Sequence, residues 1–122
     1  MGKSFVILIS DPNPFVRSFL SRELSTAGYR TVEAGSSKEI FEQLKIEHPP
    51  DLLITELDWP VSIGISVLER IQNLVPPIPQ IIFTHLSEYE SHPAVQKADD
   101  FIEKNEDPQD LLHSISEVLG KY

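Results

Sequence analysis

The sequence predicts an α/β protein in which one parallel sheet is covered by helices on both faces. Short apolar runs rich in β-branched residues, typical of strands that are buried on both faces, recur along the chain. Segments whose apolar residues recur at helical spacing lie between these runs. Strand and helix therefore alternate five times, a pattern typical of a doubly wound parallel sheet.

The first half of the chain contains two strands and two helices. Residues 5–9 form the first predicted strand, and residues 29–34 form the second. The helix between them ends at Gly28, and its apolar residues at helical spacing are Phe15, Phe19, Leu20 and Leu24. Ser36 begins the second helix as its N-cap, because Glu39 three residues later completes the pattern of a capping box.

The second half continues the same alternation. In chain order it contains a strand at 52–55, a helix at 64–74, a strand at 80–84, a short helix at 94–98, a strand at 101–102 and a last helix. Asp107 and Pro108 open the last helix, because an acidic cap followed by proline in the first turn is a typical helix start. The buried stripe of this helix consists of Leu111, Leu112, Ile115, Val118 and Leu119.

Few topologies fit this order of elements. Right-handed crossovers between five parallel strands favour the flavodoxin-like strand order 2-1-3-4-5. Residues 1–122 contain no repeat and no low-complexity segment, and their number suits one domain. We therefore expect a single domain with its site at the carboxyl ends of the strands, near the point where the strand order reverses.

The composition argues against several classes of function. The 122 residues carry a formal net charge of −9, which disfavours direct binding to nucleic acid or to anionic membranes. There is no cysteine, so disulfides and thiolate metal sites are excluded. No apolar run approaches the ~20 residues of a membrane span, and we expect a cytoplasmic protein. The histidines lack the spacing of zinc ligands; they are His48, His85, His92 and His113.

Polar and charged residues end four of the predicted strands. Asp11 follows the first strand, Glu56 and then Asp58 follow the third, Thr84 ends the fourth, and Lys104 follows the fifth. Because the carboxyl ends of parallel strands meet at one edge, we expect these groups to converge there. Solvation of loops explains any one of these residues equally well, but it is the weaker explanation for all of them together.

Five segments in order resemble the receiver domain of two-component response regulators, from one end of the chain to the other. They are VILISDPNP at 6–14 with Arg17 after it, Gly28-Tyr29 with Ala34-Gly35, PDLLITELDWP at 50–60 followed by Gly64, IIFT at 81–84, and ADDFIEK at 98–104. The resemblance implies phosphoryl transfer from a histidine kinase to an aspartate, with Mg²⁺ held by that aspartate and an acid pair. It also implies that a lysine and a hydroxyl hold the phosphoryl oxygens.

Two positions depart from the family where the phosphoryl chemistry takes place. Glu56 stands at the phosphoacceptor position, and Pro12 stands where the second acid of the pair is expected. A shifted alignment would make Ser10 and Asp11 the pair, and it also lacks one acid. Glutamate carries its carboxylate about 1.5 Å further than aspartate, and Mg²⁺ tolerates a missing ligand poorly. We therefore expect neither stable phosphorylation nor a bound metal, for which the residual candidate ligands are Asp11, Glu56 and Asp58.

The remaining pocket positions are partly retained. The resemblance makes Lys104 and Thr84 the lysine and hydroxyl of the family, and Phe101 its switching aromatic. His85 replaces a small residue, and its side chain should narrow access to the pocket. Asn105 replaces a proline that usually follows a cis bond, so we expect a trans bond there. The segment from Thr84 to Lys104 is shorter than usual, so the fourth helix, part of the family's usual output surface, should be short or irregular.

The best interpretation is an atypical receiver domain without enzyme activity, which needs no cofactor and binds a histidine kinase or a downstream effector. The alternative is an active Mg²⁺-dependent receiver that accepts a phosphoryl group from a histidine kinase. A catalytic α/β domain is disfavoured because no nucleophile–base pair is present. A direct pair between Glu56 and Lys104 would leave two meanings open: a built-in mimic of the phosphorylated form, or a relic without signalling meaning.

Overall fold

The computed structural model describes residues 4–105 and 107–121. Strands alternate with helices throughout these residues, and a 3₁₀ turn at Ser87–Tyr89 precedes the fourth helix. The elements are β1 (Val6–Ser10), α1 (Pro14–Thr26), β2 (Arg30–Ala34), α2 (Ser37–Leu44), β3 (Leu52–Thr55), α3 (Val61–Gln72), β4 (Gln80–Thr84), α4 (Pro93–Gln96), β5 (Asp100–Glu103) and α5 (Gln109–Leu119). None of the helices in the described ranges is long and apolar enough to cross a membrane.

The strands form one parallel sheet in the order β2-β1-β3-β4-β5, which confirms the predicted fold class. Ser10 of β1 pairs with Thr55 of β3. The residues that follow them, Asp11 and Glu56, therefore leave the sheet side by side. Lys104 follows β5 at the same edge. The register of the sheet thus positions the candidate site.

Alternate strand residues face two different cores. On β1, Ile7 and Ile9 pack with residues of α1 and α5, whereas Leu8 packs with residues of α2 and α3. Because β1, β3 and β4 are covered on both faces, their sequences are apolar over most of their length, whereas the edge strands β2 and β5 carry exposed charged residues. This burial fixes the strand ends, and with them the side chains that follow.

The third helix begins earlier than the sequence predicts. It starts at Val61, after Pro60 in an extended conformation, whereas the apolar spacing predicted a start at Gly64. Gly64 lies inside the helix, where a Cβ added to it would stand 2.0 Å from the carbonyl oxygen of Leu57. The glycine therefore marks a close approach of the helix to the β3–α3 loop, and the predicted boundary was wrong.

Other predicted boundaries agree with the structure. β3 and β4 have the predicted bounds, and α4 is a single short turn, as expected. Ser36 is the N-cap of α2: its Oγ accepts a hydrogen bond from Glu39 N at 3.2 Å, and Glu39 Oε1 accepts one from Gly35 N at 2.6 Å. α5 begins at Gln109, just after the predicted start, and Asp107 Oδ1 accepts from its backbone N at 2.9 Å.

The apolar residues of α1 do not form a single buried stripe. Leu20 and Leu24 lie in the core, but Phe15 is 83% exposed. At 3.6 residues per turn, Phe15 points about 140° away from Leu20 and about 180° away from Leu24. The helical spacing in the sequence therefore combined two different faces of the helix.

Candidate functional site

The carboxyl edge of the sheet brings together four of the residues that the strand ends predicted. They are Asp11, Glu56, Thr84 and Lys104, from four neighbouring strands. The side chains of Asp11, Glu56 and Lys104 are 5%, 7% and 11% exposed, and Thr84 is fully buried. Three charged groups are thus held away from most solvent, where each needs partners within the protein.

Lys104 joins two carboxylates that come from different strands. Its Nζ donates to Asp11 Oδ2 at 2.7 Å and to Glu56 Oε1 at 2.6 Å. Both are charge-assisted hydrogen bonds, which are short and strong relative to neutral ones. The direct pair of Glu56 with Lys104, one of the alternatives from the sequence, is therefore present, and Asp11 shares it.

The second oxygen of Glu56 is held by the β3–α3 loop. Glu56 Oε2 accepts from the backbone N of Leu57 at 2.6 Å and from that of Asp58 at 3.1 Å. The hydroxyl of Thr84 also interacts with this carboxylate, while its oxygen accepts from Leu86 N at 3.2 Å. One carboxylate thus engages an ammonium, a hydroxyl and two backbone amides.

The pKa values of the pair follow from these contacts. Burial raises the pKa of Glu56. It is opposed by hydrogen bonds from Lys104, Thr84 and the Asp58 backbone and by the charge of Lys104, so the net pKa lies below the usual 4.5. Burial lowers the pKa of Lys104, but the hydrogen bonds and charges of Asp11 and Glu56 raise it to a net value above the usual 10.5. Both groups are therefore charged at neutral pH.

Asp11 is fixed by the loop that leads into α1. Its Oδ1 accepts from Asn13 N at 2.9 Å, and Asn13 in turn is the N-cap of α1, accepting from Phe15 N at 2.9 Å. Arg17 Nη1 donates to the backbone oxygen of Asp11 at 2.7 Å, and its Nε pairs with Glu33 Oε1 at 3.2 Å. The carboxylate therefore has a partner on each oxygen and a braced backbone.

The remaining predicted positions lie around this cluster. Pro12, Asp58 and His85 are exposed at the rim. Asp58 contributes its backbone N–H to Glu56. His85 lines a groove of about 360 Å³ that is also lined by Lys104.

Phe101 is partly buried against a cluster that contains Leu57, Ile82 and Val95. The peptide bond from Lys104 to Asn105 is trans, as the sequence predicted.

These residues do not fit the magnesium site that the resemblance implies. Mg²⁺ requires nearly octahedral oxygen ligands. Both oxygens of Asp11 and of Glu56 already accept hydrogen bonds, and Pro12 offers no side-chain ligand. Over residues 4–105 and 107–121, no group of three or more His, Cys, Asp or Glu side chains is placed to hold a metal. The ammonium of Lys104 lies between the two carboxylates instead.

Sequence reasoning missed several contributors to the cluster. Trp59 Nε1 donates to the backbone oxygen of Glu56 at 2.6 Å. The backbone amides of Leu57 and Asp58 were also missed, because every residue type except proline has such an amide and the sequence does not show which ones bind Glu56. Asn13, by contrast, could have been found, because asparagine directly before a proline is a typical helix start.

The sequence and the fold both match one family of known proteins. The family model for the response regulator receiver domain matches residues 7–116. The probable transcriptional regulator ycf27 of Porphyridium aerugineum is 30% identical, over 94% of this chain and 48% of its own length. The transcriptional activator protein ExaE of Pseudomonas putida is 32% identical, over 93% of this chain and 55% of its own length. The chain thus spans about half the length of these relatives.

Solved structures show the same fold. The response regulator TrrA of Thermotoga maritima, in complex with Mg²⁺-BeF, has a TM-score of 0.85 at 25% identity, covering 93% of this chain and 97% of TrrA. TrrA in complex with the histidine kinase ThkA gives a TM-score of 0.84 at 25% identity, covering 94% and 98%. A CheY-like receiver domain protein of Methanospirillum hungatei gives 0.82 at 27% identity, covering 98% and 96%.

Proposed function

This chain belongs to the response regulator receiver domains of two-component signal transduction, and we propose that it acts there as a protein-interaction module whose state is set by Glu56 instead of a phosphoryl group. The module has no enzyme activity of its own. It works in the cytoplasm, and its partner is a histidine kinase or a downstream effector. Residues 1–122 are proposed to act as one domain.

One observation carries this proposal: the Glu56 carboxylate takes up the donors that the family uses for a phosphoryl group. The family resemblance assigns phosphoryl oxygens to the lysine and the hydroxyl, which are Lys104 and Thr84 here. Both interact with Glu56, and Lys104 does so at 2.6 Å. The carboxylate of Glu56 lies one methylene further from the backbone of β3 than that of an aspartate would.

The contact between Glu56 and the Thr84 hydroxyl supports a mimic over a relic. The resemblance associates the active state with movement of the hydroxyl and of the aromatic on β5. Thr84 interacts with Glu56, and Phe101 packs, partly buried, against the cluster of Ile82, two residues from Thr84 on β4. A relic salt bridge would require no contact with the hydroxyl. We therefore propose that Glu56 holds the domain in the switched state.

Phosphorylation is tested by incubating the protein with acetyl phosphate and Mg²⁺ and measuring its intact mass. The native chain should show no stable mass gain. The double variant Pro12→Asp with Glu56→Asp restores two carboxylates of ordinary length, and it should gain one phosphoryl group. A stable gain of one phosphoryl group on the native chain would establish the alternative, an active phospho-receiver.

The mimic is tested separately with Glu56→Gln, which keeps the length of the side chain and removes its charge. Amide NMR shifts of Thr84 and Phe101 should move, since the carboxylate no longer holds the hydroxyl. Glu42→Gln, on the exposed surface of α2, is the matched control and should leave both signals in place. Unchanged Thr84 and Phe101 signals in Glu56→Gln would indicate that the pair of Glu56 with Lys104 is a relic without signalling meaning.

A further inference from the structure

A buried glutamine lies at the end of the sheet opposite the charged cluster. Gln80 begins β4 and is 2% exposed. Its side-chain Nε2 has no hydrogen-bond partner in the described part of the chain. A buried amide donor without a partner is unfavourable, because it has given up its hydrogen bonds to water. A donor in this position therefore indicates a site for an acceptor atom from a ligand.

The orientation of this amide is fixed by its neighbours. Gln72, the last residue of α3, donates from Nε2 to the backbone oxygen of Ala94 at 2.8 Å and to Gln80 Oε1 at 3.1 Å. A backbone oxygen can only accept, so Gln72 presents its nitrogen there, and Gln80 presents its oxygen to that nitrogen. Rotating the Gln80 amide would bring two donors together. The Gln80 nitrogen is therefore directed away from Gln72.

Both glutamines line a groove of about 220 Å³. The groove is also lined by Lys97 and Asp99, which carry opposite charges. Asp99 is held beside Gln80, since its Oδ1 accepts from the backbone N of Gln80 at 2.9 Å and its own backbone N donates to the Gln80 oxygen at 2.8 Å. The apolar wall of the groove consists of Pro77, Ile78 and Pro79.

These groups together select the kind of ligand. The volume is below the roughly 300–1,000 Å³ of pockets for drug-sized molecules, so the ligand is small. A simple anion would be attracted by Lys97 but repelled by Asp99, and a simple cation would meet the reverse. A molecule that carries both charges suits both residues. Gln80 Nε2 offers a donor for its anionic group, and Gln72 Oε1 offers an acceptor for its cationic group.

We propose that this groove binds a free α-amino acid with a small apolar side chain. The carboxylate of the ligand accepts from Gln80 Nε2 and pairs with Lys97. Its ammonium pairs with Asp99 and donates to Gln72 Oε1, and its side chain packs on the apolar wall. The site lies at the amino ends of β4 and β5, whereas the charged cluster lies at the carboxyl ends, so the inference does not depend on the proposed function.

The test adds L-valine to the full, ¹⁵N-labelled chain and follows the amide NMR signals. The side-chain amide signals of Gln80, assigned by their loss in Gln80→Leu, should shift saturably. Two matched ligands each lack one charged group: 3-methylbutanoate lacks the ammonium, and 2-methylpropylamine lacks the carboxylate. Each should bind at least about tenfold more weakly than L-valine, since each loses the charge-assisted contacts of one end.

Variants of the chain test the individual contacts. Gln80→Leu removes the donor and should fold, because that donor is unpaired and Gln72 keeps its bond to Ala94. It should bind L-valine at least about tenfold more weakly. Lys97→Met removes an exposed cation and should weaken binding by about two- to fivefold, whereas Lys45→Met, exposed at the end of α2, should leave binding unchanged. Thermal unfolding checks that the variants are folded.

Saturable shifts of the Gln80 side chain with L-valine, and weaker binding of both analogues, support the proposal. Equal binding of the three ligands would overturn it, because only the apolar wall would then be recognised. Absence of a saturable shift would also overturn it and leave water as the partner of the Gln80 donor. Equal weakening by Lys97→Met and Lys45→Met would overturn it as well. Glu56→Gln reports separately on the proposed function, so either idea can fail alone.

Discussion

Lys104→Met removes the ammonium from the charged cluster while keeping an unbranched side chain of similar bulk. Asp11 and Glu56 then remain buried, 5% and 7% exposed, without the partner that they share. Removing one partner of a buried ion pair is more damaging than replacing the whole pair, because an uncompensated charge is left behind. The variant should therefore be strongly destabilised at neutral pH.

The distances give the size of the effect. At 2.6 and 2.7 Å, with an effective dielectric constant of about 20, each attraction amounts to about 6 kcal/mol. Desolvation of the ions offsets much of this, at several kcal/mol for each ion. The expected loss in the free energy of unfolding is therefore about 3–5 kcal/mol, a large share of the roughly 5–15 kcal/mol that stabilise such a domain.

The pH dependence of the native chain follows from the directions of the two pKa shifts. The lowered pKa of Glu56 contributes stability above its usual 4.5, and this is lost as pH falls through the folded-state value. The raised pKa of Lys104 contributes stability below 10.5, and this is lost as pH rises through its folded-state value. Between these limits, the contribution of the cluster should be constant.

In Lys104→Met, the pH dependence of stability below pH 7 should have the opposite sign to that of the native chain. Without the ammonium, burial favours the protonated carboxyl of Glu56, so the variant gains stability as pH falls from 7 towards 4. Urea unfolding followed by Trp59 fluorescence, at several pH values, measures the difference between native chain and variant. The exposed Lys97→Met is the matched control. A loss below about 1 kcal/mol at pH 7, or one that does not shrink in acid, would refute the buried ion cluster.

Two further predictions concern the loop beside the cluster. Gly64→Ala should destabilise the protein by about 2–3 kcal/mol, although alanine normally favours a helix, because its Cβ would meet the Leu57 carbonyl at 2.0 Å. The comparison is Gly28→Ala, where φ is 100° but the space is open, and this change should cost only about 1 kcal/mol in the same urea experiment. Equal costs for the two variants would contradict the close approach of α3 to Leu57. In the native chain, the fluorescence of Trp59, the single tryptophan, should show no saturable change when Mg²⁺ is added. In the double variant Pro12→Asp with Glu56→Asp, the same titration should give a saturable change. A saturable response of the native chain would contradict the poor fit of these residues for a metal.

The sequence predicted those features that depend on burial pattern alone. Continuous apolar runs define β3 and β4, since both strands are covered on both faces. The polar residue that follows each run marks the edge of the sheet, and this was enough to predict that Asp11, Glu56 and Lys104 converge. The cap at Ser36 was also predictable, because it is a local pattern of side chain and backbone.

Features that depend on close approach between segments were not predictable in this way. Gly64 looked like a helix boundary, because the sequence does not show that Leu57 packs against it. Phe15 fits a helical repeat, but its exposure depends on which face α1 presents to the sheet. The hydrogen bond from Trp59 to the backbone oxygen of Glu56 depends on the path of the β3–α3 loop. The sequence could not predict it, because every residue has such a backbone oxygen.

The unusual residues of the cluster are coupled through charge. With Pro12 in place of an acid, the two carboxylates of Asp11 and Glu56 face one ammonium, and Lys104 reaches both. Pro12→Asp alone would add a third carboxylate beside the single ammonium, and the excess of one negative charge would become an excess of two unless a cation binds. Glu56→Asp alone would shorten the side chain that reaches Lys104 while still leaving the metal pair incomplete. A return to metal-dependent chemistry therefore requires both changes together, and each single change should be less stable than the native chain.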